Sequence, residues 1–261
     1  MKQMPWTKDK HAAQLYFEKE GKGIPLLFVH PPSMGHVTFR RQKQRLSKKF
    51  KVITMDLRGN GRSGMDGRPL SIPLLAEDVI RVMDAAKVKD AVICGYSNGG
   101  SIVQEIAIRY PERVRAIVLM GGFSEVTSFL LKNEFRLGIL AAKAKQIGLI
   151  ANVLTFAHER ESRKKRDLSE YIQRTSPEIL EQYYRVGINY SSTARLEKIY
   201  CPVLLLYGTR DEYVHQYRHA FQNRVSGPVE TVFIGDVAHQ LPTKKSSAVH
   251  QILTQFVYRY A

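Results

Sequence analysis

The chain has 261 residues, 44% hydrophobic and 25% charged, an ordinary balance for one sizeable globular α/β domain. No apolar run reaches the ~18 residues of a membrane-spanning helix, and residues 1–10 lack the apolar core of a secretory leader, so the expected location is the cytoplasm. The formal charge of +16 admits nucleic acid, an acidic membrane surface or an anionic substrate as partner, but no aromatic ladder, zinc-finger spacing or helix-turn-helix signature accompanies it.

Residues 13–19 read as a strand, Gly21 and Gly23 as a turn, and residues 25–30 as a short buried strand. Residues 36–50 predict a helix. Its overlap with the densest basic run, RRQKQRLSKKFK at 40–51, has Leu46 and Phe50 four apart and reads as a solvated basic face, not a specific nucleic-acid site. Residues 52–55 form another apolar strand, followed by the loop DLRGNGRSG at 56–64. Leu75, Val79, Val82 and Met83 predict a helix over 71–87. A strand over 91–95, a helix over 99–109 ended by Pro111, and a strand over 114–120 follow. Later strands are expected at 202–207 and 229–234, and a last helix at 244–260. Strands alternating with helices predict a mainly parallel, doubly wound α/β sheet with right-handed crossovers.

Residues 124–199 depart from that alternation. Leu137, Leu140, Ala144, Ile147, Ala151 and Leu154 recur at three- and four-residue steps, and no good strand appears. A helical cap at 124–199, inserted in a core made of 1–123 and 200–261, is expected. Its apolar face is expected to pack on the core. The alternative is a surface that touches lipid, because Lys143 and Lys145 interrupt the stripe. Cys94 and Cys201 adjoin apolar strands and match no disulfide framework or metal motif, so they read as small buried hydrophobes.

Gly95-Tyr96-Ser97-Asn98-Gly99 is the strongest chemical signal. A buried strand ends and a helix begins there, which sets the Ser97 hydroxyl on a tight turn above the sheet, with glycines relieving the crowding. The helix N-terminus behind it offers free N–H groups to a developing oxyanion. A serine hydroxyl needs a base, and the base an orienting acid. Among eight histidines, His239 stands in GDVAHQL, between the last strand and the last helix, at the sheet end where ligand chemistry gathers. Asp211, just past the preceding strand, is the candidate acid. Glu212, Asp236 and Glu125 are weaker competitors. His215 and His219 are four apart on one predicted helix, a spacing that could bind metal, but no third ligand is near. The chemistry calls for no metal or organic cofactor.

On these segments the chain resembles the α/β-hydrolase superfamily over nearly its whole length. The strand-to-His30 loop, DLRGNGRS, GYSNGG, GTRD and VAH follow in that family's order, and the YPERV run at 110–114 is also similar. Within it, the chain looks like small capped serine hydrolases: carboxylesterases, enol-lactonases, C–C bond hydrolases and cofactor-free haloperoxidases. The resemblance implies Ser97 as nucleophile, His239 as base and Asp211 as its partner, in the family's Ser–Asp–His order. Serine at the elbow, not aspartate, implies acyl transfer and not haloalkane or epoxide chemistry.

One segment departs from the family. Its usual His-Gly-x is His30-Pro31-Pro32 here, and proline has no N–H. Losing one oxyanion donor costs on the order of 10²–10³ in rate. In one reading the loop is shifted, so that the N–H of Ser33 or Met34 joins that of Asn98, or the Ser33 hydroxyl donates. In the other, the protein is a hydrolase-fold sensor that binds a small ligand. The first is expected, with Met34, Tyr96, Phe123 and cap residues such as Leu137 and Leu140 lining the substrate pocket. Asp56 and Arg58 are expected to tie loops together, a substrate role for Arg58 or Arg62 being the alternative. The expected function is therefore hydrolysis of an ester or related acyl bond of a small molecule. Lactonase or C–C hydrolase activity by the same triad stays open, as does a homodimer. The positive charge weakly favours acidic substrates.

Overall fold

The computed structural model describes residues 5–7 and 12–261, so most of the stretch inspected for a leader lies outside the described residues. Seven strands, β1 (Phe17–Glu20), β2 (Pro25–Val29), β3 (Lys51–Met55), β4 (Ala91–Tyr96), β5 (Val114–Met120), β6 (Val203–Gly208) and β7 (Val229–Ile234), form one sheet in the order β1-β3-β2-β4-β5-β6-β7. All neighbours are parallel except β1, which runs antiparallel to β3 at the edge. The strand expected from residue 13 begins only at Phe17. The residues before it are extended, but their N–H groups go elsewhere: Leu15 donates to the Thr7 hydroxyl at 3.0 Å and Tyr16 to the Ser63 hydroxyl at 2.9 Å.

The helices are α1 (Arg40–Leu46), α2 (Ile72–Ala85), α3 (Gly99–Arg109), α4 (Phe129–Lys143), α5 (Ile147–His158), α6 (Ser162–Ile172), α7 (Pro177–Asn189), α8 (Glu212–His215), α9 (Arg218–Arg224), α10 (Leu241–Lys244) and α11 (Ser246–Tyr260). The first expected helix is divided: it opens as a 3-10 turn, His36–Phe39, which seats the Phe39 ring 5.0 Å from Phe28 before α1 begins. The last, expected from Lys244, begins at Ser246, because the Lys245 backbone leaves helical geometry between the short α10 and α11.

Successive side chains of a strand point to opposite faces, and two apolar layers result. Leu27, Ile53, Ile93 and Leu119 pack with α2 and α3; Leu26, Val52, Val92 and Val118 pack on the other face with α1 and α11. All six residues of β4 and of β6 are buried, as expected for parallel strands covered on both sides. Among the described residues no helix is long and apolar enough to cross a membrane.

Between β5 and β6 run α4 to α7 and a 3-10 turn at Thr193–Lys198. The apolar stripe read from residues 137–154 is not one face. Helix α4 stops at Lys143, and Lys145 takes a left-handed φ of 56° before α5 starts. The break turns Leu137 and Leu140 to solvent while Ile147 and Ala151 are buried. Those two leucines therefore do not pack on the core, contrary to expectation.

The DLRGNG loop after β3 holds these helices to the core. Buried Asp56 accepts from the Tyr171 hydroxyl of α6 at 2.6 Å and from the His36 N–H at 2.7 Å. The Arg58 carbonyl accepts from the Tyr183 hydroxyl of α7 at 2.8 Å. The buried Arg58 guanidinium forks onto Asp78 at 2.5 and 2.7 Å and reaches Asp66 at 2.8 Å. Each guanidinium nitrogen of Arg58 thus donates to a carboxylate within the fold.

Candidate active site

Ser97 stands between β4 and α3 with φ 52°, a left-handed conformation rare for a side-chain-bearing residue. Its N–H donates to the Met120 carbonyl at 2.8 Å. The turn tolerates no bulk beside it. A Cβ on Gly95 would lie 2.6 Å from the Gly100 Cα, and one on Gly99 would lie 2.5 Å from the Val29 carbonyl oxygen.

His239 lies in the loop between β7 and α10, and its Nδ1 is 2.7 Å from Oδ2 of Asp211, at the end of the β6 loop. A carboxylate only accepts, so Nδ1 carries the proton and the neutral ring keeps its lone pair on Nε2. Asp211 is fully buried, and its Oδ1 has no partner among the described residues. The His239 ring sits between Tyr96, at 5.4 Å, and Tyr213, at 6.0 Å. It also needs Gly121: a Cβ there would come within 2.5 Å of Cε1. Burial works to lower the His239 pKa. The Asp211 hydrogen bond and charge and the Glu134 charge outweigh it, so the pKa is raised above its usual value.

Ser97 and His239 line one cavity of about 380 Å³, whose further walls are mainly apolar and aromatic, with Asn98, Glu134, His158 and Gln240 as the polar exceptions. Among the described residues no hydrogen bond of 3.5 Å or less joins the two side chains. Met34 and Tyr96 line the cavity, and so does Asn98. Phe123 does not: it is buried between Phe135 and Tyr217, with ring centroids 5.9 and 6.1 Å away. Leu137 and Leu140 do not either, for the reason given above.

Ser33 requires a second correction. Its backbone turns at φ 64°, its N–H donates to Oδ1 of Asn60 at 2.6 Å, and it does not reach the cavity wall. Its hydroxyl is buried without a partner among the described residues. The next N–H, of Met34, makes a long 3.3 Å bond to the Pro31 carbonyl. That carbonyl also takes the Nδ1 proton of buried His30 at 2.7 Å, since His30 Nε2 accepts from the Leu57 N–H at 2.9 Å. Burial lowers the His30 pKa to about 4, consistent with this neutral tautomer. Pro31 and Pro32 form cavity wall. The Asn98 N–H has no backbone acceptor among the described residues, and its side-chain Oδ1 is likewise buried and unpartnered.

Sequence reading passed over several wall residues: Glu134, Phe135, Val153, His158, Tyr184 and Tyr213. His158 lies close to Tyr96 and to Thr243 Oγ1, at 3.4 and 3.1 Å, and burial holds its pKa down to about 3. Among the described residues Glu134 is the only acidic one that lines the cavity, and no lysine or arginine does. The other candidates are placed elsewhere. Glu212 is exposed, Asp236 pairs with Arg210 at 2.9 Å, and Glu125 meets Ser191 at 3.2 Å. His215 and His219 fall on different helices, and Nε2 of His215 meets the Gly208 carbonyl at 2.8 Å. No cluster of three metal-binding side chains occurs among the described residues.

Residues 24–241 match the family model described as the alpha/beta hydrolase fold. The chain is 39% identical over 135 residues to a putative carbamate hydrolase of Azorhizobium caulinodans, covering 51% of each chain. It therefore spans about half the length of that curated relative. It is 24% identical over 247 residues to the pimeloyl-[acyl-carrier protein] methyl ester esterase of Nitrosospira multiformis, covering 86% of this chain and 91% of the relative. A solved thermophilic esterase from Thermogutta terrifontis superposes with a TM-score of 0.82 at 23% identity, over 98% of this chain and 97% of that one, which shows the shared fold.

Proposed function

The chain belongs to the α/β-hydrolase fold family, and on that premise we propose that it is a serine hydrolase that cleaves carboxylic esters or related acyl bonds of small molecules. One observation carries the reading: a serine held in a left-handed strand-to-helix turn shares a cavity with an imidazole already paired to a buried carboxylate at 2.7 Å. Ser97 attacks the carbonyl as Nε2 of His239 takes its proton. Asp211 fixes the tautomer and stabilises the imidazolium. The Asn98 N–H, with the N–H of Met34, stabilises the oxyanion. The imidazolium then gives its proton to the departing alcohol as the tetrahedral intermediate collapses to the acyl-enzyme, and water activated by the again neutral His239 releases the acid and restores Ser97. Ser97 and His239 come into hydrogen-bonding contact as substrate binds; such contacts are often looser without substrate.

The helices of 124–199 act as the cap, and α4, α5 and α7 supply much of the cavity wall. Among the described residues the wall holds one carboxylate and no cation, which favours uncharged acyl groups over acidic ones, whatever the net charge of +16 over the whole chain. The relatives named above are a putative carbamate hydrolase and a methyl ester esterase, in keeping with hydrolysis at an acyl carbon. A panel of nitrophenyl esters of rising acyl length, given to the wild type and to Ser97→Ala, tests the proposal. Turnover lost in Ser97→Ala supports it. Both proteins inert on esters and lactones, with tight binding of a small molecule, would establish a ligand sensor instead.

A further inference from the structure

Helices α4 and α5 present an apolar side that no other described element covers. Leu130, Leu137 and Leu140 recur at seven- and three-residue steps on α4, and Leu149, Val153 and Phe156 at four- and three-residue steps on α5. Such spacing puts each set on one side of its helix. These six side chains are 57% to 78% exposed. Large apolar side chains left in water on consecutive helices mark an interaction surface. The surface reaches the Ser97 cavity, because Val153 is both exposed and part of the cavity wall.

Cations accompany this surface. Arg136 sits beside Leu137, and Lys143 and Lys145 flank the turn between the two helices; all three are exposed. None of them makes an ion pair of 4.0 Å or less among the described residues. The Lys165 ammonium lies 5.2 Å above the Phe156 ring. Together α4 and α5 carry one acidic residue, Glu134.

We propose that this face docks on an anionic lipid surface, with α4 and α5 lying at the headgroup level and the cavity mouth turned toward the bilayer. Apolar side chains flanked by unpaired cations are what an interfacial helix presents to anionic headgroups. A second copy of the chain fits less well. Each copy carries a formal charge of +16, and a face-to-face dimer would bring the unpaired cations of both together.

The full chain is mixed with vesicles of phosphatidylcholine alone, or of equal parts phosphatidylcholine and phosphatidylglycerol, and the bound fraction is read by sedimentation. Binding to the anionic vesicles is expected to be at least about tenfold stronger. Leu137→Ser, Leu140→Ser and Phe156→Ser combined should weaken it about tenfold or more while circular dichroism stays unchanged, because these side chains are exposed. Lys143→Glu with Lys145→Glu should weaken it about as much. Three results overturn the proposal: no binding to anionic vesicles, binding that the triple-serine variant keeps in full, or a dimer in solution that the triple-serine variant converts to monomer.

Discussion

The side chain of Asn60 takes the backbone N–H of Ser33 at 2.6 Å, so the loop after β3 holds the loop after β2. Of the two N–H groups that could have replaced the missing donor of Pro32, that of Ser33 is thereby spent inside the protein and that of Met34 remains. Asn60→Ala removes that acceptor and leaves a buried N–H unpaired, an expected loss of about 1–3 kcal/mol in unfolding free energy. It also frees the loop that carries Met34, so kcat on the best ester should fall while KM changes little. Denaturant unfolding and steady-state kinetics check both. Unchanged kcat would mean that the loop takes no part in the reaction.

Pro32 can be tested in the opposite direction. Pro32→Ala puts an N–H at the position where the family has its donor. Removing a donor costs on the order of 10²–10³, so supplying one beside the shared Met34 N–H should raise kcat about tenfold. A fall in kcat with a folded variant would show that the stiff proline loop, not the donor count, limits the rate.

The base should titrate above its usual value. His239 acts as a neutral imidazole, and Asp211 and Glu134 both favour its protonated form. Activity is therefore lost on the acid side, with a midpoint in kcat/KM above ~6.5. Glu134→Gln removes a negative charge, lowers the His239 pKa and moves that midpoint to lower pH. A midpoint that stays put or rises would place Glu134 outside the site's electrostatics. Asp211→Asn should cut kcat by about 10⁴, as the loss of an orienting carboxylate does elsewhere.

Arg58 anchors the fold. Arg58→Ala strands the buried Asp78 carboxylate, to which, among the described residues, only Arg81 at 3.1 Å still offers a cation. A loss of about 3–5 kcal/mol is expected. Thermal unfolding at matched pH measures it; a change below about 1 kcal/mol would contradict the buried-pair account.

The elements most readable from sequence were those whose signals are local. The helix Gly99–Arg109 and the strands Val114–Met120 and Val229–Ile234 match their expected bounds residue for residue. There, apolar runs and stop signals such as Pro111 agree with the tertiary fold. Reading failed where a side chain's direction depends on distant partners. Phe123 follows a strand end, as pocket residues often do, yet it turns into the core between Phe135 and Tyr217. Leu137 and Leu140 keep helical spacing with Ile147 and Ala151, but the left-handed Lys145 separates the two sets. Glu134 and Tyr213 carry no motif, and only the packing of α4 and α8 over the sheet end brings them to the cavity. Ser33 looked free because nothing near it in the chain announces the side chain of Asn60.

The central claim is that the Ser97 hydroxyl is the nucleophile and His239 its base. Intact-mass analysis after treatment with a fluorophosphonate tests it most directly. One adduct per chain is expected, mapped to Ser97, absent in Ser97→Ala and formed far more slowly in His239→Ala. Labelling of another residue, or undiminished labelling in His239→Ala, would contradict it.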